Sequence, residues 1–101
     1  MKLLKIEQTN CTPCKMLGNF LKNELGVEVD EVVNISEGTI TTTATGHVEK
    51  DEDLAMELAG QFSIMKTPTL VLVDEDGEEI KKFSGVGQTG VREILSMRGL
   101  I

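Results

Sequence analysis

The sequence predicts a single α/β domain over residues 1–101, in which helices cover both faces of a mixed four-stranded sheet in the order β-α-β-α-β-β-α. Two observations lead to this fold class. Segments with apolar residues at helical spacing alternate with short extended segments, and Asp76-Gly77, a strong hairpin signal, joins the last two of these. A β-α-β unit requires parallel strands, whereas a hairpin adds an antiparallel pair, so the sheet should be mixed.

The first half of the chain is predicted to form a strand, a helix and a second strand. Residues 2–8 alternate apolar and charged side chains, which is typical of a short strand. Gly26 marks the end of the helix that follows, because a left-handed residue commonly terminates helices. Alternating valines predict the second strand over residues 27–33. The apolar stripe of the helix consists of Cys14, Leu17, Leu21 and Leu25.

Residues 36–49 allow two interpretations, a mobile loop and a small edge strand. Their alternating threonines favour an extended chain, because β-branched residues fit a pleated sheet. However, Ile40 and Val48 are the only large apolar residues of the segment. The sequence therefore supports both interpretations equally.

The second half continues with a helix, a hairpin and a last helix. Asp51 or Asp53 is the predicted cap of the first of these helices. The apolar run at residues 69–73 predicts a central strand that is covered on both faces. The charged residues 78–84 suit a strand at the sheet edge, and Thr89 is the predicted cap of the last helix.

Charge and hydropathy exclude several classes of function. The formal net charge of −7 argues against nucleic acid and anionic membranes as partners. No apolar run approaches the ~20 residues that span a bilayer. Charged residues return at Lys5 and Glu7, which is too early for a signal peptide. We therefore expect a cytoplasmic monomer, in a compartment where stable structural disulfides are rare.

The two cysteines of the chain, Cys11 and Cys14, lie between the first strand and the first helix. Unpaired N–H groups and the helix dipole favour the reactive thiolate at this position. We expect Cys11 to attack a substrate disulfide and Cys14 to resolve the mixed disulfide, so that the pair cycles between dithiol and disulfide without another cofactor.

Two alternatives to a redox dithiol are an inert buried pair and half of a zinc site. A structural zinc site needs about four protein ligands. Besides the two cysteines, the chain offers His47, which lies in the threonine-rich segment without a partner motif. Zinc would therefore have to bridge two chains, and we predict no metal site within one chain.

Two motifs resemble the thioredoxin family. Cys11-Thr12-Pro13-Cys14-Lys15-Met16 is similar to its active-site segment, a Cys-x-Pro-Cys run commonly continued by Lys and a hydrophobic residue. Thr67-Pro68-Thr69-Leu70 is similar to its cis-proline segment, and Asp76-Gly77 and Gly85 follow in the expected order. The resemblance covers nearly the whole chain. It implies a thioredoxin fold and an oxidoreductase that reduces protein disulfides, with roles in electron transport and cell redox homeostasis.

The resemblance also implies roles for individual residues. Pro68 would be cis and packed beside Cys11, and the backbone of Thr67 would pair with an extended substrate segment by strand addition. The implied partners are disulfide-containing proteins and a reductase or another dithiol donor that supplies electrons. The residues implied to tune the active site are Thr12, Pro13 and Lys15.

The chain departs from the thioredoxin pattern at two positions. Asn10 stands where thioredoxins usually carry tryptophan, and Lys5 stands where they usually carry a buried acid, with Glu7 on the same side of the strand. The short N-terminus resembles glutaredoxins, which suggests a glutathione-coupled reductase as an alternative. Residues 85–90, however, lack the Gly-Gly-acid pattern with which glutaredoxins bind glutathione. Small thioredoxin-like proteins of archaea and phages combine these traits, and a non-catalytic thioredoxin-fold binding module is a further alternative.

Overall fold

The computed structural model describes residues 1–101 and contains a mixed sheet with helices on both faces. None of the helices combines the length and apolar content needed to cross a membrane. The strands are β1 (Lys2–Glu7), β2 (Glu31–Asn34), β3 (Thr39–Thr42), β4 (His47–Lys50), β5 (Thr69–Val73) and β6 (Glu79–Ser84), and the helices are α1 (Thr12–Asn19), α2 (Glu52–Gln61) and α3 (Gln88–Arg98). The strands follow the order β4-β3-β2-β1-β5-β6, in which β1 and β2 are parallel and the other neighbours antiparallel.

The predicted α/β class is confirmed, but the predicted four strands are wrong, because the sheet has six. The two additional strands are β3 and β4, a hairpin that begins within residues 36–49, for which a loop and one edge strand were equally supported, and ends at Lys50. Ile40 pairs with Val33 of β2 and is buried, whereas every residue of β4 is exposed. A strand without a buried face needs no apolar alternation, so the sequence pattern could not identify β4.

Strand β5 lies between two hydrophobic clusters and is buried at all five residues, as its apolar run predicts. Its side chains alternate between the two faces, so Leu70 and Leu72 contact one cluster and Val71 and Val73 the other. The first cluster also contains residues of α1 and α3, and the second contains Ala55 of α2. Both faces of the sheet are therefore covered by helices.

Most predicted helix ends are close to the observed ones. Helix α1 continues into a π-helical segment, Phe20–Leu25, that ends at Gly26 with φ of 63°, in the left-handed region. Asp51 caps α2, because its carboxylate accepts a hydrogen bond from the backbone N–H of Leu54 at 2.9 Å. The predicted cap of α3 is wrong, because the helix is preceded by Gly87 rather than capped by Thr89.

Asp30 joins three parts of the fold at the end of the sheet opposite the cysteines. Its carboxylate accepts two hydrogen bonds from the Arg98 guanidinium, at 2.8 and 2.9 Å, and one from the N–H of Leu3 at 2.7 Å. Partial burial opposes the charge of Asp30, but the hydrogen bonds from Arg98 and Leu3 and the charges of Arg98 and Lys2 outweigh it and lower the pKa of this carboxyl. The ionised form therefore stabilises the attachment of α3 to β1.

Replacing Asp30 with asparagine is expected to lower the free energy of unfolding by about 1–2 kcal/mol near neutral pH, because two charge-assisted hydrogen bonds lose their charge. Because the folded pKa is lowered, the contribution is fully present above the ordinary value of 3.8 and is lost as pH falls through the lowered pKa. Urea unfolding of both proteins at about pH 7 and about pH 3 tests this. If the difference in unfolding free energy between the two proteins were the same at both pH values, the ionised Asp30 carboxylate would not have the stabilising role assigned to it.

Candidate functional site

The two cysteines lie where β1 leads into α1. Cys11 is the N-cap residue of the helix, and its sulfur accepts a hydrogen bond from the backbone N–H of Cys14 at 3.2 Å. Pro13 occupies the first turn, where its missing N–H breaks no helical hydrogen bond. Cys11 and Cys14 form a disulfide with a Cα–Cα distance of 5.2 Å. Cys11 is partly exposed and Cys14 is 4% exposed, so an incoming molecule reaches the first sulfur more readily than the second.

The Thr67–Pro68 segment lies against Cys11 although 56 positions separate Thr67 from it in sequence. The Thr67–Pro68 peptide bond is cis. The Cys11 sulfur lies 3.8 Å from the carbonyl oxygen of Thr67 and 3.4 Å from its hydroxyl oxygen. Pro68 is buried, and its carbonyl accepts a hydrogen bond from the N–H of Gly85 at 2.9 Å. The cysteine loop and the Thr67–Pro68 segment therefore meet at the disulfide, and the loop that contains Gly85 lies next to Pro68.

Gln8 is a residue of this site that was not predicted from the sequence. The Thr67 hydroxyl lies between two acceptors, the Cys11 sulfur at 3.4 Å and the Gln8 side-chain oxygen, also at 3.4 Å. Because a disulfide sulfur carries no proton, the Thr67 hydroxyl can only be the donor in its contact with the Cys11 sulfur, which also accepts the backbone N–H of Cys14. The position of Gln8, directly after β1 and three residues before Cys11, is the one sequence signal that could have identified it.

Lys5 and Glu7 form an ion pair beneath α1. Their charged atoms are 3.0 Å apart, and Lys5 is buried to 8% exposure. Both lie on the same side of β1, as strand alternation predicts. A Cβ at Gly18 would lie 3.3 Å from the Lys5 ammonium, so the glycine within α1 leaves room for this cation. The position where a buried acid was expected from the family pattern therefore carries a positive charge that is paired with Glu7.

Asn10 has a structural reason to replace the tryptophan expected before Cys11. Its φ of 58° lies in the left-handed region. Asparagine adopts this conformation more readily than other residues with a side chain, and an aromatic residue would be strained there.

The remaining predicted site residues, Thr12 and Lys15, are exposed on the first turns of α1. The structure therefore brings together Cys11, Cys14, Thr67 and Pro68, and places Thr12, Pro13 and Lys15 at the rim of the same site. It contains no group of three or more His, Cys, Asp or Glu side chains arranged to hold a metal ion.

Comparisons with known proteins agree with this geometry. The family model described as a thioredoxin-like domain matches residues 2–94. A curated relative, the SPbeta prophage-derived thioredoxin-like protein YosR of Bacillus subtilis, is 33% identical over 95 residues, which are 94% of this chain and 95% of YosR.

Solved structures with the same fold include two thioredoxins. The Malassezia sympodialis thioredoxin has a TM-score of 0.60 at 18% identity, and the match covers 94% of this chain and 71% of that one. The Schistosoma mansoni thioredoxin pre-protein has a TM-score of 0.58 at 19% identity, with 95% and 78% covered. At these identities the two structures establish the fold alone.

Proposed function

The chain belongs to the thioredoxin-like family, and from this premise we propose that it is a protein-disulfide reductase whose Cys11–Cys14 pair cycles between dithiol and disulfide. The observation that carries the proposal is the disulfide itself. It lies at the start of a helix, beside Thr67, and joins the partly exposed Cys11 to the buried Cys14.

In the proposed reaction, the Cys11 thiolate attacks one sulfur of a substrate disulfide. The substrate S–S bond breaks, a mixed disulfide forms, and the first substrate sulfur leaves as a thiolate that takes a proton from solvent. The Cys14 thiolate then attacks the Cys11 sulfur and releases the second substrate thiol. Two electrons pass from the dithiol to the substrate, and the Cys11–Cys14 disulfide remains.

The neighbouring groups support this sequence of steps. The backbone N–H of Cys14 and the Thr67 hydroxyl both lie within donor distance of the Cys11 sulfur, where they can stabilise negative charge on the thiolate. The backbone at Thr67 is available beside the sulfur to pair with an extended substrate segment. A reductase or another dithiol donor returns the pair to the dithiol state in a reducing cytosol.

An insulin-disulfide reduction assay with two electron donors in parallel tests the proposal. One arm contains NADPH and thioredoxin reductase, and the other contains NADPH, glutathione and glutathione reductase. We expect turnover in the first arm. Turnover in the second arm alone would indicate a glutaredoxin-like, glutathione-coupled reductase. A cysteine pair that cannot be reduced and reoxidised at all would contradict the proposal and favour a non-catalytic binding module.

A further inference from the structure

The loops around the disulfide differ in charge from the rest of this acidic protein. The chain carries 17 Asp and Glu residues against 10 Lys and Arg residues. None of these acids lies in residues 8–21, 61–73 or 84–91, which contain the cysteine loop with α1, the Thr67–Pro68 segment and the loop before α3. Contacts from Cys11 to Thr67 and from Gly85 to Pro68 bring the three segments together. We call their exposed surface around Cys11 the disulfide face.

Two lysines give the disulfide face a positive charge. Lys15 lies in α1, one residue after Cys14, and Lys66 lies in the loop before β5, one residue before Thr67. Both are exposed, and neither forms an ion pair. Their charges are therefore free to interact with a partner.

Two acids near the cysteine loop, Glu7 and Glu37, contact residues other than Lys15 and Lys66. Glu7 is paired with Lys5 at 3.0 Å. Glu37 accepts a hydrogen bond from the Asn34 side chain at 3.3 Å, and that side chain also donates to the Thr9 hydroxyl. Neither carboxylate forms an ion pair with Lys15 or Lys66.

A large apolar side chain completes the disulfide face. Met65, next to Lys66, is 91% exposed, the highest value among the large hydrophobic residues of the protein. Methionine is flexible and polarisable, so an exposed one adapts to partners of differing shape. A surface with an exposed methionine beside an unpaired lysine complements a segment that offers an apolar side chain beside an acid.

We propose that the disulfide face selects protein substrates whose target disulfide is flanked by acidic and apolar residues. This inference rests on the proposed reductase function and specifies its substrate class. Opposite charges around the reacting sulfurs speed the encounter, whereas a basic segment would be repelled by Lys15 and Lys66.

Three synthetic disulfide peptides test the inference directly. They share one leucine-containing loop and differ only in the residues that flank the cysteines, which are aspartate, serine or lysine. The second-order rate constant for reduction by the prereduced protein is measured by acid quench and chromatography. We expect the aspartate peptide to react about tenfold faster than the lysine peptide at low salt, and the difference to shrink at about 0.5 M salt.

Two charge-reversal variants test whether the preference for the aspartate peptide depends on Lys66. Lys66→Glu should remove or invert the preference for the aspartate peptide while leaving the serine peptide within about twofold of the wild-type rate. Lys22→Glu is the matched control, because it changes the net charge equally but lies eleven positions from Cys11, in the π-helical segment that follows α1. It should keep the wild-type preference.

Each other result has a definite meaning. Equal rates for the aspartate and lysine peptides, or equal effects of Lys66→Glu and Lys22→Glu, would overturn the inference and leave the reductase function intact. Glutathione disulfide is expected to compete as a substrate only if the lysines bind small anions. If it reacts faster than all three peptides and Lys66→Glu slows it, the inferred substrate class is wrong, and the preferred substrate is a small anionic disulfide. Failure to reduce any of these disulfides would overturn the proposed function itself.

Discussion

Replacing Cys11 with serine is expected to lower insulin-disulfide turnover by at least about 1,000-fold, because a serine hydroxyl can neither attack a disulfide at this pH nor form a new one. Cys11 is partly exposed, whereas Cys14 is 4% exposed and is the less accessible of the two. The remaining Cys14 thiol should therefore not substitute for Cys11. Retained turnover in Cys11→Ser would show that the order of attack proposed above is wrong.

The matched variant, Cys14→Ser, should lose turnover in a different way. Cys11 can still attack the substrate disulfide, but no second thiol resolves the mixed disulfide, so the covalent complex accumulates. Non-reducing electrophoresis and intact-mass measurement after mixing with insulin detect this complex. It should be present for Cys14→Ser, should disappear on addition of a small dithiol, and should be missing for Cys11→Ser.

Replacing Gly90 with alanine is expected to lower the free energy of unfolding by about 2–3 kcal/mol, because the core is overpacked by the added methyl group. Gly90 lies in the first turns of α3, against the Phe83 ring of β6, and a Cβ at this position would overlap that ring. Either the ring or the helix must move, although α3 contributes Val91, Ile94 and Leu95 to the core.

Gly60→Ala is the control for Gly90→Ala. Gly60 lies in α2, and a Cβ there would meet no atom within 4 Å. Alanine favours the helix over glycine by about 0.5–1 kcal/mol, so this variant should be slightly more stable than the wild type. Urea unfolding of the two variants in the same redox state measures both values. If both variants changed the free energy of unfolding by the same amount in the same direction, contact with Phe83 would not be the cause of the destabilisation by Gly90→Ala.

The sequence predicts best those parts of the fold in which side-chain periodicity reflects burial. The apolar run of β5 is buried on both faces, and the left-handed Gly26 ends the first helical stretch, both as predicted. A single edge strand was one of the two interpretations of residues 36–49, but the β3–β4 hairpin was not predicted. Pairing with β2 determines it, and pairing across a sheet leaves little trace in a polar, threonine-rich segment. The predicted start of α3 at Thr89 was also wrong. The helix begins after Gly87 without a side-chain hydrogen bond to its first turn, so no capping residue marks its start in the sequence.

Some residues of the candidate site could likewise be predicted from the sequence, and others could not. The spacing of Cys11 and Cys14 and their position before a helix identified them as candidate site residues. Thr67 and Pro68 were identified through the family resemblance. Gln8 could not be predicted, because its contact with Thr67 depends on how two distant loops meet. Gly18 likewise had no explanation until the structure placed the Lys5 ammonium opposite it.

The β3–β4 hairpin also has a practical use. Its turn, residues 43–46, lies near Asp30, at the end of the sheet that faces away from the disulfide, and Ala44, Thr45 and Gly46 are exposed. Exposed turns tolerate inserted sequence better than other parts of a domain. A peptide tag inserted between Ala44 and Thr45 would attach the protein to a bead or sensor surface with its cysteines facing the solution, so that captured clients could be collected from an extract without steric hindrance from the support.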